Sequence, residues 1–443
     1  MKKIKVILIG AGNRGETYTD IMHEMPEKYQ VVAVAEPVLS RRNHVKTLHG
    51  IPEEMCFESY TQLLAKGKIA DLAIISTQDR MHYDPAMAAI SLKYDILLEK
   101  PLAPSAEECM NIMHAARKNG VRVIVCTVLR YTPLFGTVKE IIDSGRIGEV
   151  ISVNHEECVG NVHQSHSYVR GNWGNESRSA NMLLAKSCHD LDLIPWLLGK
   201  KCEKIQSFGS LKFFRAENAP NGAPERCIEG CPHSESCPYN SVKLYLDDKE
   251  NYWFRSTSTM CQTPTDTDVE AALHNTQYGK CVFRCDNDVV DHQTINMLFE
   301  GGTTATFSMC AFNKGGRFLH VMGTRGELHA SLEENGSIRV YDFLTQEETT
   351  IPMSAVDGIL GGHGGGDAGI VNSVYNYLAS GKQSKTIPSI EESCRNHMLV
   401  FAAEKSRISG NVIMVNEFMK KVEEHINANG YTKFGIISVI RNS

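Results

Sequence analysis

The chain has 443 residues, 42% of them hydrophobic and 22% charged, the make-up of a soluble globular protein long enough for two or more domains and not of a disordered one. A formal net charge of -6 and the lack of any lysine or arginine block argue against nucleic acid or an anionic membrane as the main partner, which leaves small molecules. Residues 1–10 begin like a signal peptide, but Lys5 breaks the apolar run and glycines follow where a cleavage site would stand, so a first strand is expected. No window approaches a membrane span, and a cytoplasmic location follows, with the 14 cysteines free, metal-bound or buried and not disulfide-bonded.

The first 130 or so residues alternate strand and helix. The strand over residues 6–9 runs into Gly10-Ala11-Gly12-Asn13-Arg14-Gly15, and residues 16–25 continue as a helix-compatible segment ending before Pro26. A G-x-G-x-x-G turn in that setting lets the backbone approach a pyrophosphate and aims unpaired helix N–H groups at it. The second strand, residues 31–35, ends in Glu36, at the spacing of a ribose-binding carboxylate, so a nicotinamide dinucleotide is expected. Glu36 disfavours a 2′-phosphate and so favours NAD over NADP; Arg41 and Arg42 keep NADP open unless they form a solvated helix face. A third strand, residues 72–75, leads into Ser76-Thr77-Gln78-Asp79-Arg80-Met81-His82, where Thr77 and Asp79 serve equally as cofactor contacts or as caps of a helix over residues 85–92.

The strand over residues 96–98 reads as buried on both faces, as a parallel sheet requires, and delivers Glu99-Lys100-Pro101. Pro101 has no N–H to give a neighbour and turns the chain out of the sheet. A Glu-Lys pair is ordinary in a surface loop, but this one stands at the carboxyl edge of a parallel strand, where open α/β sheets bind ligands. Ser105-x-x-Glu108 opens a helix ending near Asn119-Gly120, residues 121–125 form a strand, and Thr132-Pro133 starts a helix running to Ser144-Gly145. From about residue 147 strands follow strands, with hairpin signals at Gly301-Gly302 and Asn335-Gly336, and helices are expected over residues 188–198, 367–378 and 390–408.

Gly10-x-Gly12-x-x-Gly15, Glu36, Ser76-Thr77 with His82, Glu99-Lys100-Pro101, His189-x-x-Asp192 before Trp196-Leu197-Leu198-Gly199, and Gly323-Thr324-Arg325-Gly326-Glu327-Leu328 resemble, in order, the landmarks of the Gfo/Idh/MocA family of NAD(P)-dependent oxidoreductases. The resemblance runs from residue 4 to about 415. It implies an α/β protein: an N-terminal Rossmann domain (residues 1–128), then an α/β domain with a large, mostly antiparallel open sheet (129–415), with residues 416–443 as a C-terminal extension. That sheet commonly mediates pairing into homo-dimers or tetramers, and the usual substrates are sugars, sugar derivatives and cyclitols oxidised at a secondary alcohol. Cofactor contacts are then expected from Gly10, Gly12, Asn13, Arg14 and Gly15, from Glu36, from Ser76, Thr77 and His82, and from Glu99 and Lys100.

Oxidising a carbinol requires a base for the hydroxyl proton, and a lysine beside a positive nicotinamide can serve near neutrality. Lys100 is the candidate, and His189 stands where the family keeps its catalytic histidine. One departure is evident: the family's dehydrogenases commonly carry an aspartate four residues before that histidine, and here Ala185 and then Lys186 occupy the place. Lys186 is open to three readings: a ligand for an anionic or hydroxyl-rich substrate, a positive charge held beside Lys100, or a side chain in solvent. Residues 162–173, with His166, Arg170 and Trp173, have the composition to grip a polyol and equally that of a polar loop. Arg130, Tyr131, Asp192 and His363 complete the expected substrate contacts.

An insertion around residues 220–286 carries Cys227-x3-Cys231-x5-Cys237 and Cys281-x3-Cys285, and a structural zinc held by Cys227, Cys231, Cys237 and Cys281 would order it. Free thiols are the alternative, and His233 or Cys285 could replace a ligand. The expected function is therefore NAD-dependent oxidation of a sugar or cyclitol. A redox-assisted glycosidase with tightly bound NAD is a second reading (oxidation at C3, elimination, hydride return), and a binding protein without turnover a third, opposed by Lys100 and His189. Residues 434–440 read as an added strand or a subunit contact.

Overall fold

The computed structural model describes residues 3–333, 336–353 and 363–429. Six strands, β1 (Ile4–Ile9), β2 (Tyr29–Ala35), β3 (Cys56–Phe57), β4 (Leu72–Ile75), β5 (Asp95–Leu98) and β6 (Val123–Val125), form one sheet in the order β3-β2-β1-β4-β5-β6. Every pairing in it is parallel. Both faces are covered, which is why β4 and the end of β5 are unbroken apolar runs. Ile7, Ile9, Ala73, Ile75, Ile96 and Leu98 pack with residues of the helices Tyr83–Ser91 and Ala106–Asn119. Val6, Leu8, Leu72, Ile74 and Leu97 pack with the helix Asn13–His23 and with Ile370, Val371 and Val374 of Gly366–Ser380, a helix that returns from late in the chain to close the second face. Strand order reverses between β1 and β4, so a crevice opens where Gly10 and Ser76 leave the sheet.

The second sheet has nine strands: β7 (Val150–Cys158), β8 (Cys202–Ser210), β9 (His292–Phe299), β10 (Thr304–Cys310), β11 (Gly316–Gly323), β12 (Gly326–Leu332), β13 (Ser337–Asp342), β14 (Glu348–Pro352) and β15 (Ile413–Met414). Their order is β14-β13-β12-β11-β7-β10-β9-β8-β15, and β7 with β10 is the parallel pair. Gly301 and Gly302, at φ 77° and 84°, make the β9–β10 connection that side chains with a Cβ would strain. Of the second hairpin signal, Asn335 lies outside the described residues, as does the apolar stretch 434–440. One face buries Val153, Ile295, Phe307 and Val321 against the helices Cys188–Leu198 and Ile390–Ser409; the other presents Thr304, Thr306 and Asn154 outward. Among the described residues no helix is long and apolar enough to cross a membrane.

The insertion carries two small cores of its own. One gathers Phe214, Tyr239, Val282, Phe283 and Cys281; the other Tyr245, Phe254, Val269 and Leu273. Arg170 is buried beneath the first, donating to the carbonyls of Lys280 (2.8 Å) and Tyr239 (2.7 Å) with Cys227 Sγ 3.8 Å away. Cys227, Cys231, Cys237 and Cys281, the expected zinc ligands, lie near enough for Cys237 to feel the charges of Cys227 and Cys231 and Cys281 those of Cys227 and Cys237, while among the described residues no three of these sulfurs lie within 4.8 Å of one another. The guanidinium of Arg170, whose charge interacts with Cys227, Cys281 and Cys285, already places a cation beside the thiols, and aromatic packing orders the segment.

His166, expected to touch substrate, instead stacks on Phe254 (4.0 Å between centroids, 6° between planes) with Nδ1 2.7 Å from the Tyr245 hydroxyl. Burial, with Arg170 nearby, brings its pKa down from 6.5 to about 3. Between those values the unfolded chain holds a proton that the folded chain refuses, so stability is lost as pH falls through this window. His166→Phe, measured by denaturant unfolding at pH 7 and one pH unit below 6.5, is expected to lose about 1 kcal/mol less on acidification than the parent chain. Equal acid sensitivity would contradict this placement.

Candidate active site

The cofactor end is built from backbone. At Gly10 (φ +90°) a Cβ would stand 2.8 Å from the Ser76 carbonyl oxygen, and at Gly15 one would stand 2.1 Å from the Gly10 oxygen. Only hydrogens fit, and the hydroxyl of Ser76 seals the turn by donating to Gly10 O (2.7 Å). The helix Asn13–His23 begins at Gly12 with no side chain capping its first N–H groups, which suits a bound diphosphate. Glu36, buried at the end of β2, accepts from the N–H groups of Ala11 (2.8 Å) and Val38 (2.9 Å), which fixes its carboxylate against the glycine turn. These residues fit a dinucleotide. Arg42 is not on a solvated face: it is buried and donates to the carbonyls of Glu36 and Pro37. Arg41 lies over the turn, its Nη1 3.9 Å from where a Gly12 Cβ would be.

Glu99 and Lys100 meet through the Lys100 backbone N–H, and the lysine charge acts on the carboxylate without a direct side-chain bond. Glu99 Oε1 accepts from Arg14 Nε (2.8 Å) and the Tyr18 hydroxyl (2.7 Å), and Oε2 from the Lys100 backbone N–H (2.7 Å). Burial alone would push this carboxyl up, yet Arg14 and Lys100 keep it below the usual range. Arg14 also reaches Asp367 at 2.6 and 3.1 Å, so its guanidinium ties the first helix, β5 and the returning helix together. Lys100 Nζ donates to the carbonyl of Ala185 (2.7 Å) and lies 5.9 Å from the centroid of the Trp173 ring. Trp173 is itself aimed by Asp79, whose Oδ2 accepts from Trp173 Nε1 (3.0 Å) and Ser179 Oγ (2.5 Å).

Facing Lys100 is a buried charged network. His189 is 6% exposed, its Nδ1 has no hydrogen-bond partner among the described residues, and its ring lies 6.3 Å from that of His363. Burial first, then the positive charges of Lys100, Arg317 and Lys186, hold its pKa well below 6.5, so the ring is neutral. Lys186 is not in solvent: Nζ is 3.2 Å from Glu157, and burial lowers its pKa. Arg317 bridges Glu157 (2.5 Å) and Asp190 (2.9 Å), and Asp190 holds His155 at 2.8 Å. His163 feels Lys186, Arg317 and Lys100 as well, and packs its ring edge-on to Trp253 at 5.2 Å. A carbonyl, the Trp173 indole, a neutral imidazole and further cations thus stand around the lysine, a lining suited to a polar ring compound.

Other expected contacts stand elsewhere. Arg130 and Asp192 form a bidentate pair at 2.6 and 2.7 Å with side chains 0% and 1% exposed, joined by Glu392 and Asn396. Tyr131 is buried against the returning helix, and His82 is braced between the carbonyls of Pro101 (2.7 Å) and Thr77 (3.0 Å). His363 bonds Asp367 at 3.0 Å and remains partly exposed beside His189.

Two family profiles match the chain, an oxidoreductase-family NAD-binding Rossmann fold over residues 4–127 and an oxidoreductase-family C-terminal alpha/beta domain over residues 139–415, both of Gfo/Idh/MocA. The chain belongs to the Gfo/Idh/MocA family. YteT of Bacillus subtilis, which is named as an oxidoreductase, is 24% identical over 338 residues, covering 73% of this chain and 76% of that one. Inositol 2-dehydrogenase of Salmonella typhimurium is 26% identical over 206 residues, 46% of this chain and 57% of that one, so the match spans just over half of that relative. Among solved structures, levoglucosan dehydrogenase with NADH and levoglucosan superposes with a TM-score of 0.69 at 15% identity, covering 94% of this chain and 100% of the other. Scyllo-inositol dehydrogenase of Lactobacillus casei, with NAD(H) and scyllo-inositol, gives 0.65 at 14% identity over the same shares. At these identities the likeness is one of fold.

Within a Gfo/Idh/MocA frame, Ala185 acquires a role that its side chain did not suggest. The turn Leu183–Ser187 is a π-helix, and it presents the Ala185 carbonyl to the Lys100 ammonium. Glu157, Asp190 and Arg317 were not singled out from the sequence. Glu157 carried a signal: in β7 it falls on the phase that buries Val153 and His155, and a carboxylate there needs a partner.

Proposed function

We propose that this chain is an NAD-dependent dehydrogenase moving a hydride between a secondary alcohol carbon of a sugar, sugar derivative or cyclitol and nicotinamide, with Lys100 as the acid/base and His189 beside it. The observation that carries the reading is Lys100 Nζ, standing at the carboxyl edge of β5 within reach of Ala185 O and near a neutral His189 whose Nδ1 has no partner among the described residues. Family membership and neighbours crystallised with NAD(H) and a polyol or anhydrosugar support it. Gly10, Gly15 and the open helix N-terminus would take the diphosphate and Glu36 the adenosine ribose. NAD, when bound, supplies the hydride acceptor.

In this reading the substrate stacks on Trp173, and its hydroxyl exchanges places with the Ala185 carbonyl as the partner of Lys100 Nζ. Lys100, as the free amine in this step, takes the hydroxyl proton as the carbonyl forms and becomes the ammonium; His189, uncharged, orients the same oxygen and relays the proton outward past His363. Lys186 and Arg317, balanced by Glu157 and Asp190, hold the facing wall. Subunit pairing through the outer face of the nine-stranded sheet belongs to the same proposal. The absence of a carboxylate at Ala185 favours keeping the redox glycosidase as the second reading. Purified protein with NAD against cyclitols, free sugars and aryl glycosides, followed for reduced cofactor and released aglycone together, separates them: reduced cofactor with a free polyol supports the dehydrogenase, and aglycone without net reduction overturns it.

A further inference from the structure

The backbone of the cysteine-bearing insertion gathers four thiols from two segments distant in sequence. Cys227 opens the short turn Cys227–Glu229, which Gly230 ends at φ 80°, and Cys231 follows at once. In the next turn the N–H groups of Ser236 (3.2 Å) and Cys237 (2.9 Å) both donate to the His233 carbonyl, which folds Cys237 back toward Cys231. Cys281 arrives from the far end of the insertion: Arg226 and Lys280 form an antiparallel bridge, and the Cys281 N–H donates to Glu225 O at 2.9 Å. Cys227 and Cys281 each follow a residue of that bridge, so both stand on the face opposite the bridged pair.

A second observation comes from Arg170, which is 1% exposed beside these thiols. Its hydrogen-bond partners are the carbonyls of Lys280 and Tyr239 and, at 3.8 Å from Nη2, the sulfur of Cys227; no carboxylate is among them. Nη1 is buried with no partner among the described residues. A guanidinium taken out of water is costly unless an anion lies beside it. Neutral thiols supply none. Thiolates held on a metal ion do, because coordination takes the proton off each sulfur and four sulfurs outweigh the charge of one divalent ion.

We propose that Cys227, Cys231, Cys237 and Cys281 bind one Zn²⁺ as thiolates, with Arg170 as the buried cation that balances the complex and donates to Cys227 Sγ. Four sulfurs select a thiophilic ion over Mg²⁺ or Ca²⁺, which prefer oxygen. Tetrahedral ligands about 2.3 Å from zinc stand about 3.8 Å apart. No three of the sulfurs lie within 4.8 Å of one another, so the set closes by rotation at the half-buried Cys231 and Cys237. Turning one cysteine between staggered rotamers moves its sulfur by about 3 Å. The other two candidates are engaged: Cys285 donates its S–H to Cys281 O (3.4 Å), and His233 Nε2 bonds Asn221 O (2.8 Å). With four protein ligands the ion has no open position for substrate, and its role is to tie residues 227–237 to Cys281.

The test is metal analysis of the reduced, full-length protein after dialysis against Zn²⁺, with Co²⁺ as the spectroscopic probe, for the parent chain, C231S, C237S, C285S and R170Q. The parent is expected to hold one zinc per chain and, with cobalt, to show the near-ultraviolet absorption of thiolate-bound Co²⁺. C231S and C237S each remove a ligand from the half-buried loop and are expected to bind at least about a hundredfold more weakly, beyond the cost of losing an outer-sphere partner. C285S should match the parent. R170Q keeps all four thiols, so its cobalt spectrum should be unchanged while its affinity falls about 10–100-fold. If R170Q does not fold, the cysteine variants decide alone. A parent chain with no thiolate-bound ion, iron with inorganic sulfide in place of zinc, an ion lost in C285S, or a folded R170Q that binds as tightly as the parent would overturn the proposal.

Discussion

Lys100→Met is expected to lower kcat by about 10²–10⁴-fold, the usual contribution of a positioned acid/base, while leaving the affinity for NADH unchanged. The two effects separate because the Lys100 ammonium touches Ala185 O and faces Trp173, whereas the nucleotide-binding turn is held by Ser76, Glu36 and backbone. Methionine keeps the stem's volume, so the packing against Trp173 survives. Steady-state rates with a reactive polyol, paired with a direct titration of NADH, check the result. An equal loss in NADH affinity would make Lys100 a binding residue and not a base. His189 gives a companion expectation: with its pKa held well below 6.5 by burial and the surrounding cations, no acid limb near 6.5 in kcat/KM should vanish in His189→Asn.

Arg130→Met is expected to destabilise the folded chain by about 3–5 kcal/mol, the largest stability change of any single site discussed. Arg130 and Asp192 are buried together, and removing the guanidinium leaves Asp192 with the Asn396 amide at 2.9 Å as its remaining side-chain donor. The pair joins the segment after β6 to the helices Cys188–Leu198 and Ile390–Ser409, so its loss loosens the seam between the two sheets. The double variant Arg130→Met/Asp192→Leu should recover most of the loss, because it is the unpaired charge that costs most. Denaturant midpoints for the three proteins decide it; a single variant as stable as the parent would show that the pair is not a clamp.

The contrast between these residues explains what a sequence can and cannot disclose here. The Rossmann half was legible because its signals are short-range: an apolar strand, a glycine turn whose Cβ positions are sterically closed, a carboxylate one strand later. The Gly301-Gly302 hairpin is equally local. Lys100 and His189 were placed by motif, and the structure brings them close enough for the Lys100 charge to act on the imidazole. Arg130, Asp192, Arg170 and His166 have the same side-chain chemistry as ligand-binding residues, and what distinguishes them is partners that lie far away in sequence, such as Asp192 for Arg130 or Tyr239 for Arg170. Residue type alone does not reveal which hydrogen-bonding groups are already satisfied. The same limit hid Arg317, whose partners Glu157 and Asp190 come from β7 and a helix. The cysteines carry the same ambiguity, since Arg170 and an aromatic core pack beside thiols whose chemistry suits a metal equally.

The most direct test of the redox assignment follows one hydrogen. With the polyol that turns over fastest, deuterated at the carbinol carbon, and NAD in excess, the account predicts that the deuterium leaves the sugar and appears on the nicotinamide ring, and that Lys100→Met slows the transfer without changing where the label goes. Turnover with the deuterium still on the sugar carbon, or lost to water with none on the nicotinamide, would contradict it.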